Sequence, residues 1–149
     1  MTQIQLAIVR KLHQPSLAAG QRIMATRIIA KLGFGINGSC PSIDSVAIVD
    51  TGAPLSLFPA SMWRDIDRQI LGSVMAGGVA EKPECKFPAD LAIVHLALSD
   101  GRASLGPFRV HALLAHNDKV PALLGFADAL EHLRITIDLS RDLAMLESS

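Results

Sequence analysis

Apolar and polar positions alternate from the start of the chain, with Ile4, Leu6 and Ile8 set between polar or small neighbours. That period of two predicts a strand over residues 4–9, suited to a sheet edge or a subunit contact. Residues 15–20, running from a proline to a glycine, read as a turn. Over residues 21–32 the pattern supports two elements. Met24, Ile28 and Leu32 would share a helical face, while Met24, Thr26, Ile28, Ala30 and Leu32 would share a strand face. Val46, Ala47, Ile48 and Val49 are uncharged and mostly β-branched, which predicts a strand buried on both faces. Residues 59–67 suit a short helix with Pro59 in its first turn and Trp63 packed inward. Residues 81–88 contain two prolines and read as a loop. A long strand over residues 89–98 turns at Ser99, Asp100 and Gly101 and returns over 108–114. A turn at 116–119, a short helix at 127–133 and a closing hairpin of 134–138 with 143–146 complete the chain.

At 149 residues, half of them hydrophobic, the chain can bury one sizeable core, so one domain is expected. Tyrosine is absent and Trp63 is the single tryptophan, which makes the predicted core aliphatic and suits a small β-rich domain. Lysine plus arginine equals aspartate plus glutamate, at 14 each, and no basic run stands out. Neither nucleic acid nor an anionic membrane is an expected partner. The N-terminus lacks a basic start followed by a long apolar stretch, and charges break every other apolar run, so a soluble, cytoplasmic protein is expected. Two cysteines, Cys40 and Cys85, are too few for a disulfide framework and lack metal-ligand spacing; they read as reduced thiols.

The chemistry concentrates where the strand over 46–49 stops at Asp50, Thr51 and Gly52. An unpaired carboxylate at the end of a buried strand is costly, and a glycine two positions on suits a turn to which another backbone comes close. Ala53 and then Ser56, Leu57, Phe58 and Pro59 follow. Further on, Leu123, Leu124 and Gly125 follow Pro121 and precede the short helix and last strands. These two segments, in this order, resemble the active-site loop and the later apolar-apolar-Gly element of the retropepsin-like aspartic proteases. The resemblance spans residues 21–147 and rests on Asp50 to Ala53 and Leu123 to Gly125.

That resemblance implies a mainly β, single-lobe aspartic protease fold, closed and β-barrel-like, with one or two short helices. It favours a strand for residues 21–32 and divides the chain into an N-terminal strand or extension at 1–20 and a protease domain at 21–149. It implies an aspartic endopeptidase with Asp50 as the catalytic residue. Peptide hydrolysis by two carboxylates needs one charged and one protonated group sharing a water. The charged one takes a proton from the water, and its partner polarises the scissile carbonyl. The chain has one Asp-Thr-Gly; Asp100 precedes a hairpin glycine and Asp138 lies between Ile137 and Leu139, so neither supplies the second half. A homodimer with one aspartate from each subunit is therefore implied. Thr51 would hydrogen-bond across the interface, Gly52 would permit the close approach, and Ala53 matches the viral-type loop. Leu123, Leu124 and Gly125 would pack behind the loop. A flap is implied near Met75, Ala76, Gly77, Gly78 and Val79. The substrate would be an extended peptide, and no cofactor or metal is implied. Pro54 replaces a more usual polar residue, and Phe126 with Ala127 replaces a basic-acidic pair, which alters substrate contacts and interface ion pairs more than the catalytic water.

Other readings compete. A module of the same fold could dimerise and bind peptide without cleaving it. Asp50 could be a turn aspartate bonded to local amides, and residues 71–79 a hairpin tip of no functional consequence. Gly33, Gly35 and Gly38 match the spacing of a dinucleotide-binding fingerprint, but Ser39, Cys40, Pro41 and Ser42 follow where a helix must open, so a hairpin connection is expected. His13, His95, His111, His116 and His132 are scattered and predict no metal centre, and no Gly-x-Ser-x-Gly occurs.

Overall fold

The computed structural model describes residues 1–77 and 86–149. The segment whose pattern allowed helix or strand is strand β3 (Met24–Phe34), and its partners decide its type. It pairs antiparallel with β2 (Ala7–Leu12), with β4 (Ser45–Val49) and, at Leu32, Gly33 and Phe34, with β7 (Phe87–Ser99). A helix there would leave those three strands with open backbone groups. The connection from β3 to antiparallel β4 is the expected hairpin link. In it the Asp67 carboxylate accepts the N–H groups of Asn37 at 2.9 Å and Gly38 at 2.8 Å. The amides that a bound phosphate would need are thus taken by the chain's own carboxylate.

The remaining strands are β1 (Gln3–Gln5), β5 (Ser56–Phe58), β6 (Arg68–Ala76), β8 (Ser104–Ala115), β9 (Leu123–Leu124), β10 (Leu133–Asp138) and β11 (Leu143–Ser148). The larger sheet runs β2-β3-β4-β9-β5-β8-β7-β6, and the β3–β7 pairing makes it partly ring-like, with β2 and β6 at its ends. It is mixed: β4–β9 and β5–β8 are parallel, the other pairs antiparallel. Among the described residues two short α-helices, α1 (Gln14–Ala18) and α2 (Ala60–Trp63), complete a mainly β protein. Among the described residues no helix is long and apolar enough to cross a membrane.

Three expected elements take a different form. Residues 4–9 form two strands, because β1 pairs with β11 while β2 pairs with β3; the chain changes sheets at Leu6, whose N–H bonds to the Ala144 carbonyl at 2.8 Å. The turn at 15–20 contains α1, with Pro15 in its first turn, where a missing N–H costs no hydrogen bond. The helix expected at 127–133 is only a 3₁₀ turn at Leu130–His132, because Asp128 takes a left-handed φ of 59° that no α-helix accommodates.

The core is aliphatic around two phenylalanines in contact. β7 supplies Ala92, Val94, Leu96 and Leu98, β8 supplies Val110, Ala112 and Leu114, and β3 supplies Ile28, Ala30 and Leu32, all buried. Phe58 meets Phe34 edge to face with ring centroids 4.9 Å apart. Trp63 packs half-buried against this core and donates its indole N–H to the Ala115 carbonyl at 2.8 Å.

The small sheet β1-β11-β10 is fastened to the β7–β8 turn by Asp100. Its carboxylate accepts the N–H groups of Gln5, Ala103 and Arg102 at 2.9, 2.9 and 2.8 Å. These donors, Gln5 foremost and then Ala103 and Arg102, hold the Asp100 carboxyl down at about 2 against a slight opposing effect of burial. A pKa lowered by folding contributes stability above the unfolded value, lost as pH falls through the folded value. In urea denaturation Asp100→Asn should therefore be less stable than the native protein by a constant margin above about pH 5, and the margin should shrink between about pH 4 and pH 2.

Candidate active site

The Asp50 loop joins β4 to β5, and β9 lies between these two strands. Ile48 and Val49 run parallel to Leu123 and Leu124, while Leu57 pairs antiparallel with Leu123. The loop is therefore bonded along its length to the segment that it straddles. Ile48 N–H donates to the Ala122 carbonyl at 2.9 Å and Asp50 N–H to the Leu124 carbonyl at 3.0 Å. On the far side, Phe126 N–H donates to the Ala53 carbonyl at 3.0 Å and Ala127 N–H to that of Pro54 at 2.9 Å. Within the loop, Ala53 N–H reaches the Asp50 carbonyl at 3.1 Å, and Gly52 N–H donates to Asp50 Oδ1 at 2.9 Å. The last bond is the local backbone contact expected of a turn aspartate, and it coexists with the other features of the loop.

Gly125 is where the two segments come closest. A Cβ there would lie 2.6 Å from the Leu55 carbonyl carbon and oxygen and 2.8 Å from the Ala53 oxygen, so no larger residue fits without moving backbone. Its N–H donates to Ser56 Oγ at 2.9 Å. Ser56 is fully buried; the sequence placed it in the stretch that follows the loop without assigning it a role, and the signal for one was a small hydroxyl opening the otherwise apolar Ser56, Leu57, Phe58 strand. Leu124 is fully buried behind the loop.

A cavity of about 500 Å³ opens beside the loop, lined by Asp50, Gly52 and Ala53. Its other walls are apolar or backbone: Pro54, Leu55, Leu57, Leu113, Val120, Pro121 and Leu123, with Ala76, Gly77 and Phe87 closing one side. Among the described residues Asp50 is the one ionisable group in this lining, and it is half-buried. Thr51 is exposed, lies outside the lining, and its hydroxyl makes no hydrogen bond among the described residues. Of the proposed flap, Ala76 and Gly77 line the cavity. Met75 is 61% exposed and does not, and Gly78 and Val79 lie outside the described residues. Among the described residues the lining holds no second carboxylate: Asp100 binds the N-terminal strand, and Asp138 caps the 3₁₀ turn Leu139–Arg141 through the Ser140 N–H.

Such a site can bind an extended apolar segment and set one carboxylate against it. Compared with protein-family models, curated proteins and solved structures, the chain matches none of them.

Because Ser56 is the side chain that satisfies the Gly125 N–H, Ser56→Ala should leave a buried donor unpaired and cost about 1–3 kcal/mol in urea denaturation. Gly125→Ala should cost more, since it displaces the Leu55 and Ala53 backbone.

Proposed function

We propose that this protein is an aspartic endopeptidase of retropepsin-like fold, active as a homodimer in which each subunit contributes Asp50. The observation that carries the proposal is a half-buried aspartate beside an apolar cavity, on a loop clamped at both ends to β9, in a lining with no other carboxylate among the described residues. Two carboxylates close together cannot both ionise, so a two-fold pair of Asp50 groups would share one proton and hold one water. The ionised member would accept a proton from that water as it attacks the scissile carbonyl, and the protonated member would donate to the developing oxyanion.

The chain's own residues fit these roles. The Asp50 backbone and the Gly52 N–H fix the carboxylate, as preorganised catalysis requires. Thr51 is exposed on the same loop, free to bond across a two-fold axis, and Gly52 adds no side chain to obstruct the approach. The apolar walls suit the side chains of an extended peptide whose backbone pairs with neighbouring strand edges. A soluble, cytoplasmic setting belongs to the same proposal, with unfolded or flexible polypeptide as substrate and neither nucleic acid nor membrane as partner.

A peptide-library digest read by mass spectrometry from pH 3 to 8 tests the proposal. Cleavage should follow a bell-shaped profile with its maximum below neutral, because the coupled pair titrates in two steps. Asp50→Asn should lower the rate by ~10²–10⁴-fold or more, the contribution of a positioned acid–base group. Light scattering should find a dimer at micromolar concentration. A folded dimer that cleaves nothing at any pH would instead make the protein a peptide-binding module.

A further inference from the structure

The turn that leaves Gly125 gathers a second group of side chains, unrelated to the Asp50 cavity. Asp128, Glu131 and His132 each present one ligand atom, and these atoms all lie within 4.8 Å of one another. Glu131 Oε1 and His132 Nε2 are 3.7 Å apart. Three ligands at zinc-type bond lengths of ~2.0–2.2 Å stand roughly 3–3.5 Å from each other; Glu131 Oε1 also accepts the Asp128 N–H at 2.6 Å, so the set would close around one ion by drawing the Asp128 and His132 side chains toward that carboxylate.

The backbone beneath these ligands is fixed by the core. Ala129 and Leu130, which separate Asp128 from Glu131, are buried to within 1%. Leu130 N–H bonds to the Gly125 carbonyl, Glu131 N–H to that of Phe126 and His132 N–H to that of Ala129. Asp128 is oriented from outside the turn as well. On β8, His111 places its backbone N–H 2.9 Å and its ring Nδ1 2.6 Å from Asp128 Oδ2, which leaves Oδ1 for a further partner. This is the outer-shell arrangement, an imidazole holding a ligand carboxylate, that tunes metal centres. Glu131 and His132 are exposed, so an ion reaches the set directly from solvent.

We propose that Asp128, Glu131 and His132 bind one divalent ion of the zinc class, with His111 positioning Asp128. One imidazole and two carboxylates form a mixed nitrogen and oxygen set, which suits first-row divalent metals. Calcium and magnesium prefer oxygen alone, and copper(I) prefers sulfur. Three protein ligands leave a fourth position for water. The ion would tie the start of the turn to its end and brace the segment that clamps the Asp50 loop. The site stands independently of any activity at Asp50. The five histidines are scattered along the chain and no metal centre is expected of them from the sequence; in the proposed site the co-ligands of His132 are the carboxylates one and four residues before it.

The test is calorimetric titration of the chelator-treated 149-residue chain with ZnCl₂, alongside thermal unfolding with and without Zn²⁺. One ion should bind per chain and raise the unfolding temperature, because a ligand of the folded state stabilises by mass action. His132→Ala and Glu131→Gln alter exposed side chains and should stay folded by circular dichroism. Each should weaken Zn²⁺ by roughly 100-fold or more, beyond what loss of an outer-shell partner costs. His13→Ala, at a surface histidine far along the chain, should bind as the native protein does. No saturable binding by the native protein, or binding that survives both ligand substitutions, would overturn the proposal. An equal response to MgCl₂ would overturn the assignment of His132 as a ligand.

Discussion

Two hydrogen bonds, from the Asp50 N–H to the Leu124 carbonyl and from the Gly125 N–H to Ser56 Oγ, hold both ends of one loop against a two-residue strand. A strand as short as β9 has little stability of its own. It persists because it is paired on both edges, parallel to β4 and antiparallel to β5, and because Leu124 is buried beneath it. The cost of leaving any of these backbone groups unpaired in the interior makes the arrangement cooperative. Asp50 takes its position from that arrangement.

The rest of the sheet supports this centre. β7 and β8 are the two longest strands, and their ladder spans Ala89–Ala115 to Ser99–Ser104, carrying β5 on one side and β6 on the other. The second contact of β3 with β7 joins the β4 side of the sheet back to the β7 side, so the strands flanking Asp50 are held from two directions. Burial of Phe58 against Phe34 links β5 to β3 through the interior rather than through backbone pairing. The cavity beside Asp50 is walled by the loop itself, by Pro54 and Pro121 and by the strand residues Leu57, Leu113 and Leu123, while β6 reaches it only at its last residue, Ala76.

The chain termini form a separate small sheet. β1 and β10 fill both edges of β11, and Asp100 ties β1 back to the β7–β8 turn. The proposed dimer would therefore be built by subunits whose terminal strands are already paired within the chain. The zinc-class site proposed on the turn after Gly125 lies between this sheet and the Asp50 loop in sequence, and its ion would stiffen the connection.

The Asp50 loop and the Leu123, Leu124, Gly125 element were legible in the sequence because each combines an abrupt change of polarity with a glycine, signals that need no partner to be read. The β7–β8 hairpin was legible for a similar reason: long apolar runs around a Ser-Asp-Gly turn have few alternatives. Residues 21–32 were not, since their apolar positions satisfy periods of both 2 and 3.6, and only pairing with three other strands selects one. The break at Leu6, the left-handed Asp128, the role of Ser56 and the meeting of Asp128 with His111 all depend on residues far apart in the chain. The amino-acid sequence by itself determined a mainly β chain with one candidate carboxylate on a glycine turn, because local polarity and turn chemistry act within a few residues. Tertiary structure alone decided which strands close around that turn and which polar groups meet, because buried hydrogen bonds are satisfied by whatever segment the fold brings within reach.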